Sequence, residues 1–83
     1  MKTIVFTAAA ARDFDALPDD AREQVGDGLI LYATTGRGDV KRLTGREGLR
    51  LRIGRWRVLF DEDATTVLAV YVGKRETTTY RRN

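Results

Sequence analysis

Cysteine and histidine are both missing from the chain. Without cysteine there are no disulfides and no thiolate metal sites, and without histidine the commonest metal ligand is gone. No cofactor is expected. Proline occurs once and 42% of the residues are hydrophobic, a balance that favours a folded globule over a disordered segment. No apolar run reaches the roughly 18 residues needed to span a bilayer. The opening "MKTIVFTAAAARDF" breaks into charge too early to resemble a secretory signal, so the expected compartment is the cytoplasm, with no membrane partner. At 83 residues the chain is expected to form one domain over 1–83. A domain of that size buries only about 60% of its unfolded surface and has one modest core.

Charge is present in abundance and unevenly spread. Residues 1–40 carry four Lys/Arg against seven Asp/Glu, a net of −3, whereas residues 41–83 carry eleven against five, a net of +6. A half with that excess is the footprint of a binder of nucleic acid or of an acidic protein, with an ordinary solvated surface as the plain alternative.

"TIVF" at Thr3–Phe6 reads as a short strand. Thr7 can cap a helix through "AAAARDFDAL", with Ala10, Phe14 and Leu17 on one face. Pro18 ends it, and Asp20 with Glu23 has the spacing of a capping box for a second helix reaching about Thr35. Ala21, Val25, Leu29 and Tyr32 form its apolar stripe. Gly26 and Gly28 each weaken it by up to about 1 kcal/mol, so it should lean on tertiary packing. Gly36 is the expected C-cap. "GRGDVKRLTGREG" (Gly36–Gly48) reads as a glycine-rich connection. Its glycines match neither GxGxxG nor a P-loop and are assigned to turns.

From Leu49 the period becomes two. Leu49, Leu51 and Ile53 alternate with Arg50 and Arg52, and Trp56, Val58 and Phe60 alternate with Arg57 and Leu59. Gly54–Arg55 fits a two-residue type II′ turn. Ile53 then faces Trp56, Leu51 faces Val58 and Leu49 faces Phe60 on the buried side. "TVLAVYVG" (Thr66–Gly73), apolar on both faces, reads as a central strand. The expected fold class is α+β: an N-terminal strand, a helical hairpin covering one sheet face, then a three-stranded antiparallel meander. Trp56 and Tyr71 could also stack on a base, but their faces in this register favour the core.

The same register sets Arg52 directly across from Arg57, with Arg50 further along that face. Like charges facing across a ladder are destabilising, and arginine does not shed its proton to relieve them. Either an anion such as phosphate sits on this face, or Asp61, Glu62 or Glu76 neutralises it as a surface ion-pair network.

"KRLTGREGLRLRIGRWRVLFDEDATTVLAVYVGKRETTTYRR" resembles the C-terminal half of the RelE/ParE superfamily of type II toxin–antitoxin toxins: a K-L-x-G segment, alternating basic residues around a glycine, an apolar strand ending in V-G-[HK]-R, and a late tyrosine. "FTAAAARDFDALPDDAREQV" is similar to that family's strand and helical hairpin hinged at L-P. The likeness covers most of the chain, and "VGKRE" at Val72–Glu76 is closer to the RelE-type branch.

That resemblance implies a RelE-like fold and a metal-independent RNA endonuclease (mRNA interferase). It would cut mRNA in the ribosomal A site by attack of the ribose 2′-OH on the adjacent phosphate, inhibiting translation until a cognate antitoxin neutralises it. The antitoxin complex would also bind operator DNA. Carried over by position, the implied catalytic residues are Arg57, Arg75 and Tyr80, and the implied RNA- and phosphate-binding residues are Arg50, Arg52 and Lys74. Two guanidinium donors suit a phosphorane, and a tyrosine can stack on a base or move a proton, although Tyr80 could equally anchor the tail. Family members often have lysine where this chain has Arg50 and Arg52. Arginine is a poor base, which leaves the general base open among Lys74, Glu76, Tyr80 and a ribosomal RNA group. The chain ends three residues after Tyr80, so the C-terminal helix of many members is expected to be absent. The alternatives within the resemblance are a ParE-like inhibitor of DNA gyrase and a degenerate toxin that binds only antitoxin and operator DNA.

Overall fold

A computed structural model describes residues 1–74. The order of elements is β1 (Thr3–Phe6), α1 (Ala8–Asp15), α2 (Asp19–Thr35), β2 (Asp39–Arg42), β3 (Leu49–Ile53), β4 (Trp56–Glu62) and β5 (Thr66–Lys74). The strands form a five-stranded sheet in the order β1-β5-β4-β3-β2. The expected antiparallel meander is its centre, β3-β4-β5. β1 joins one edge parallel to β5, and β2 joins the other antiparallel to β3.

β2 corrects the reading of Gly36–Gly48 as connection alone. Val40 pairs with Leu51 and Lys41 with Arg50, and the return closes where the Leu43 N–H donates to the Gly48 carbonyl at 3.1 Å. One apolar residue in "DVKR" is too little for a period-two signal. Charged side chains are nonetheless what an exposed edge strand carries to discourage further pairing.

Thr7 caps α1 as expected: its Oγ1 accepts from the Ala10 N–H at 3.1 Å. The capping box at Asp20 and Glu23 does not form. The chain turns into α2 two residues earlier, at Pro18, which leaves Asp19 and Asp20 inside the first turn, where their charge favours the helix N-terminus. Gly36 closes α2 in the left-handed conformation, with φ 77°.

Both helices lie on one face of the sheet. Ala10, Leu17, Ala21, Val25, Leu29 and Ala33 meet Leu51, Val58, Phe60, Val67, Ala69 and Val72 in a single core. Gly28 has a packing role there. A Cβ on it would come within 2.7 Å of Ile53 Cδ1, so the glycine lets α2 lie directly on β3. Tyr32 sits at the rim, edge-on to Phe60 at 5.3 Å between ring centroids, with its hydroxyl donating to Glu62 Oε1 at 2.8 Å. Burial first, and then the Glu62 carboxylate, pushes the phenol up to about 12.

A candidate nucleic-acid interface on the open sheet face

The β3–β4 hairpin has the register expected from its alternation and its turn. Leu49, Leu51 and Ile53 pair with Phe60, Val58 and Trp56, and Arg52 pairs with Arg57. Gly54, at φ 60°, supplies the positive φ of a type II′ turn. Since Leu51 and Val58 are buried under the helices, Arg50, Arg52 and Arg57 stand on the opposite face. β2 adds Lys41 and Asp39 to that face through its pairs with Arg50 and Arg52.

The neutralising acids expected from the sequence lie elsewhere. Glu62 pairs across the ladder with buried Val67, on the helix side, and is held by Lys2 at 3.2 Å and by the Tyr32 hydroxyl. Asp61 shares the face of Arg57 but is four residues further along β4, roughly 13 Å at strand rise. It stands diagonal to Arg50 across the ladder, yet makes no ion pair with it among the described residues. Glu76 lies outside the described residues. The acid that does reach the cluster is Asp39, whose Oδ2 is 2.9 Å from Arg52 Nε. It belongs to the strand that the sequence did not reveal. Arg50 and Arg57 both carry an Nε that is buried and has no hydrogen-bond partner among the described residues. An unsatisfied buried donor costs about 1–3 kcal/mol.

Tyr71 is on this face, not in the core. Leu59 pairs with Tyr71 but Phe60 pairs with Ala69, so one step along β4 matches two along β5 and Val70 is the extra residue of a bulge. The bulge turns both Ala69 and Val72 toward the core and sends Tyr71 outward, where it is 37% exposed. The Arg57 guanidinium carbon lies 5.9 Å from the Tyr71 ring centroid, within cation–π range. Trp56, by contrast, packs partly buried against the core as expected.

Arg50, Arg52 and Arg57 are therefore brought together. Lys74 is not: it pairs with Trp56, on the helix side of the sheet end. Arg75 and Tyr80 lie outside the described residues.

No protein-family profile and no curated protein matches the sequence. Solved structures do. A chain of the RelBE2 toxin–antitoxin complex of Mycobacterium tuberculosis is 28% identical, with 89% of this chain and 98% of that one covered and a TM-score of 0.70. These neighbours support the assignment of the chain to the RelE/ParE superfamily. Two more distant structures share the RelE-like fold. The intact RelBE toxin–antitoxin complex of E. coli is 21% identical, covering 93% and 100% of the two chains at a TM-score of 0.70. The YoeB dimer of Staphylococcus aureus is 16% identical, covering 92% and 98% at 0.72. Within this RelE-like domain the described residues contain no helix long and apolar enough to cross a membrane and no cluster of three or more metal-ligating side chains.

Proposed function

We propose that this chain is the toxin of a type II toxin–antitoxin pair and acts as a ribosome-dependent mRNA endonuclease. The observation that carries the reading is the open sheet face, where Arg52 faces Arg57 across the ladder with Arg50 and Lys41 beside them and one carboxylate, Asp39, among them. Such a face is more stable with phosphates on it.

In-line attack by a 2′-OH requires removal of its proton, stabilisation of the phosphorane charge and protonation of the leaving 5′-oxygen. Arg57 and Arg75 are assigned to the phosphorane oxygens, each able to offer paired donors. Arg50 and Arg52 hold the flanking backbone. Tyr80 stacks on a base or carries a proton. Lys74, on the far side of the sheet, is a weaker phosphate contact than its place in the sequence suggests. The base is then sought among Glu76, Tyr80 and the ribosome's own RNA. An open face supplies charge but little enclosure, so the ribosome must orient the mRNA. Efficient, specific cleavage of free RNA by the purified protein would count against this.

The neutralising partner is assigned as an acidic, amphipathic antitoxin segment that also brings the complex to operator DNA. The half-exposed Ile30 and Leu31 on α2 support an apolar docking contact. Induced expression in cells distinguishes the readings. Translation arrest with mRNA cleavage supports this one, filamentation with DNA damage would mark a gyrase inhibitor, and unaffected growth would mark a binding-only protein.

A further inference from the structure

Tyr71 has no role in the proposed chemistry, yet three separate features place it where it is. The Val70 bulge reverses its face. Its ring then lies over Gly73, where a Cβ would come within 2.8 Å of Tyr71 Cε2 and closer still to the hydroxyl end. Two residues past Val70, the Val72 N–H donates to Asp13 Oδ2 on α1 at 3.3 Å, tying β5 just beyond the bulge to the helix layer. Without the bulge, strict alternation from buried Val67 and Ala69 would bury Tyr71 on the helix side. What results is an aromatic ring held beside a guanidinium on an otherwise basic face that the described residues leave open.

From this arrangement we infer that Tyr71 and Arg57 form a nucleotide subsite, the phenol ring stacking on a base while the Arg57 guanidinium holds that nucleotide's phosphate. The inference rests on the reading of this face as an RNA interface and adds a base contact to it. Stacking tolerates every base, since each has a π-face, and combines naturally with a charged groove that tracks the backbone. An aromatic ring that only braced Arg57 would not need to remain 37% exposed. Gly73 is then the residue that makes the platform: it leaves the ring a flat bed and faces Arg57 across the ladder.

The test compares two single-stranded probes of equal length and charge, a 2′-O-methyl oligoribonucleotide that resists cleavage and a fully abasic chain with the same backbone. Binding to each is measured at low salt for the wild type, Tyr71→Phe, Tyr71→Ala and Gly73→Ala, with circular dichroism to check each fold. The wild type and Tyr71→Phe should prefer the base-bearing probe by roughly fivefold or more. Tyr71→Ala should lose most of that preference, and so should Gly73→Ala, whose new methyl group displaces the ring without touching the core. An unchanged preference in Tyr71→Ala overturns the inference. An equal loss of affinity for both probes also overturns it, because the ring would then serve only to brace Arg57. If the wild type binds neither probe, the reading of the face as an RNA interface falls, and the subsite with it.

Discussion

Arg52 stands directly opposite Arg57 across the β3–β4 ladder, and among the described residues Asp39 is the carboxylate that pairs with either of them. A small domain keeps this arrangement at a cost in stability, because opposed like charges repel and arginine remains protonated. The Asp39 pair is nearly half exposed and water screens it, so it offsets little of that repulsion.

Removing Asp39 should accordingly favour anion binding. Asp39→Asn leaves Arg52 available for one more phosphate contact, which should steepen the dependence of log affinity on log salt by about 0.7 for a single-stranded probe. Titration of the 2′-O-methyl probe across a range of salt concentrations checks this. An identical slope would mean that Arg52 takes no part in binding.

Asp13 offers a test of how β5, just past the bulge, is tied to the helix layer. Asp13→Ala removes the acceptor for the partly buried Val72 N–H and should destabilise the fold by about 1 kcal/mol. Asp13→Asn keeps an acceptor oxygen and should recover most of the loss. Urea unfolding of both variants measures the difference.

Tyr32 should give the fold a distinct alkaline dependence. Its folded pKa, about 12, lies above its ordinary value of 10.0. The native state therefore holds the proton longer than the unfolded chain, and this contribution is present below pH 10 and lost as the pH rises from about 10 to 12. Tyr32→Phe keeps the edge-on packing against Phe60 and removes the hydroxyl. It should cost about 1 kcal/mol at neutral pH, and the gap between wild type and variant should shrink as the pH rises from about 10 to 12. A gap that stays constant would show that neither burial nor Glu62 raises the Tyr32 pKa in the fold.

The antitoxin contact should weaken with salt in so far as an acidic segment meets the basic half of the chain, since exposed charges are screened over about 10 Å at 0.1 M. Stability of the complex, titrated against salt, reports this directly. A flat response would indicate an interface made by apolar contacts such as Ile30 and Leu31 alone.

How far the sequence could be read depended on whether two signals coincided. The arginine hairpin was legible because period-two alternation and a glycine-first turn agreed on one register, and the Arg52–Arg57 pair followed from it. β2 was not legible, since a four-residue edge strand with Val40 as its one apolar residue has no pattern to detect. Asp39 was missed with it. Tyr71 was misplaced because a bulge changes which face a residue occupies without altering composition or hydrophobic content. The available clue was Gly73: glycine inside an apolar strand often marks a bulge or a close approach, and here it marks the close approach of the Tyr71 ring, three residues from the bulge. The capping box failed for a more local reason. Pro18 had already begun the helix, so Asp20 had lost the position from which a side chain can cap.

The central claim, that the arginine face cuts mRNA on the ribosome, is tested most directly by mapping mRNA 5′ ends after induced expression of the wild type and of Arg57→Ala. Arg57 points away from the core, and its loss relieves the repulsion with Arg52 while giving up a cation–π contact with Tyr71 of roughly 0.5–1 kcal/mol, so the variant should fold. Loss of a transition-state contact should lower cleavage by roughly 10²-fold or more. The account predicts new 5′ ends within translated reading frames for the wild type and their disappearance in a folded Arg57→Ala variant. Cleavage undiminished in that variant, or growth arrest by the wild type with intact mRNA, would contradict it.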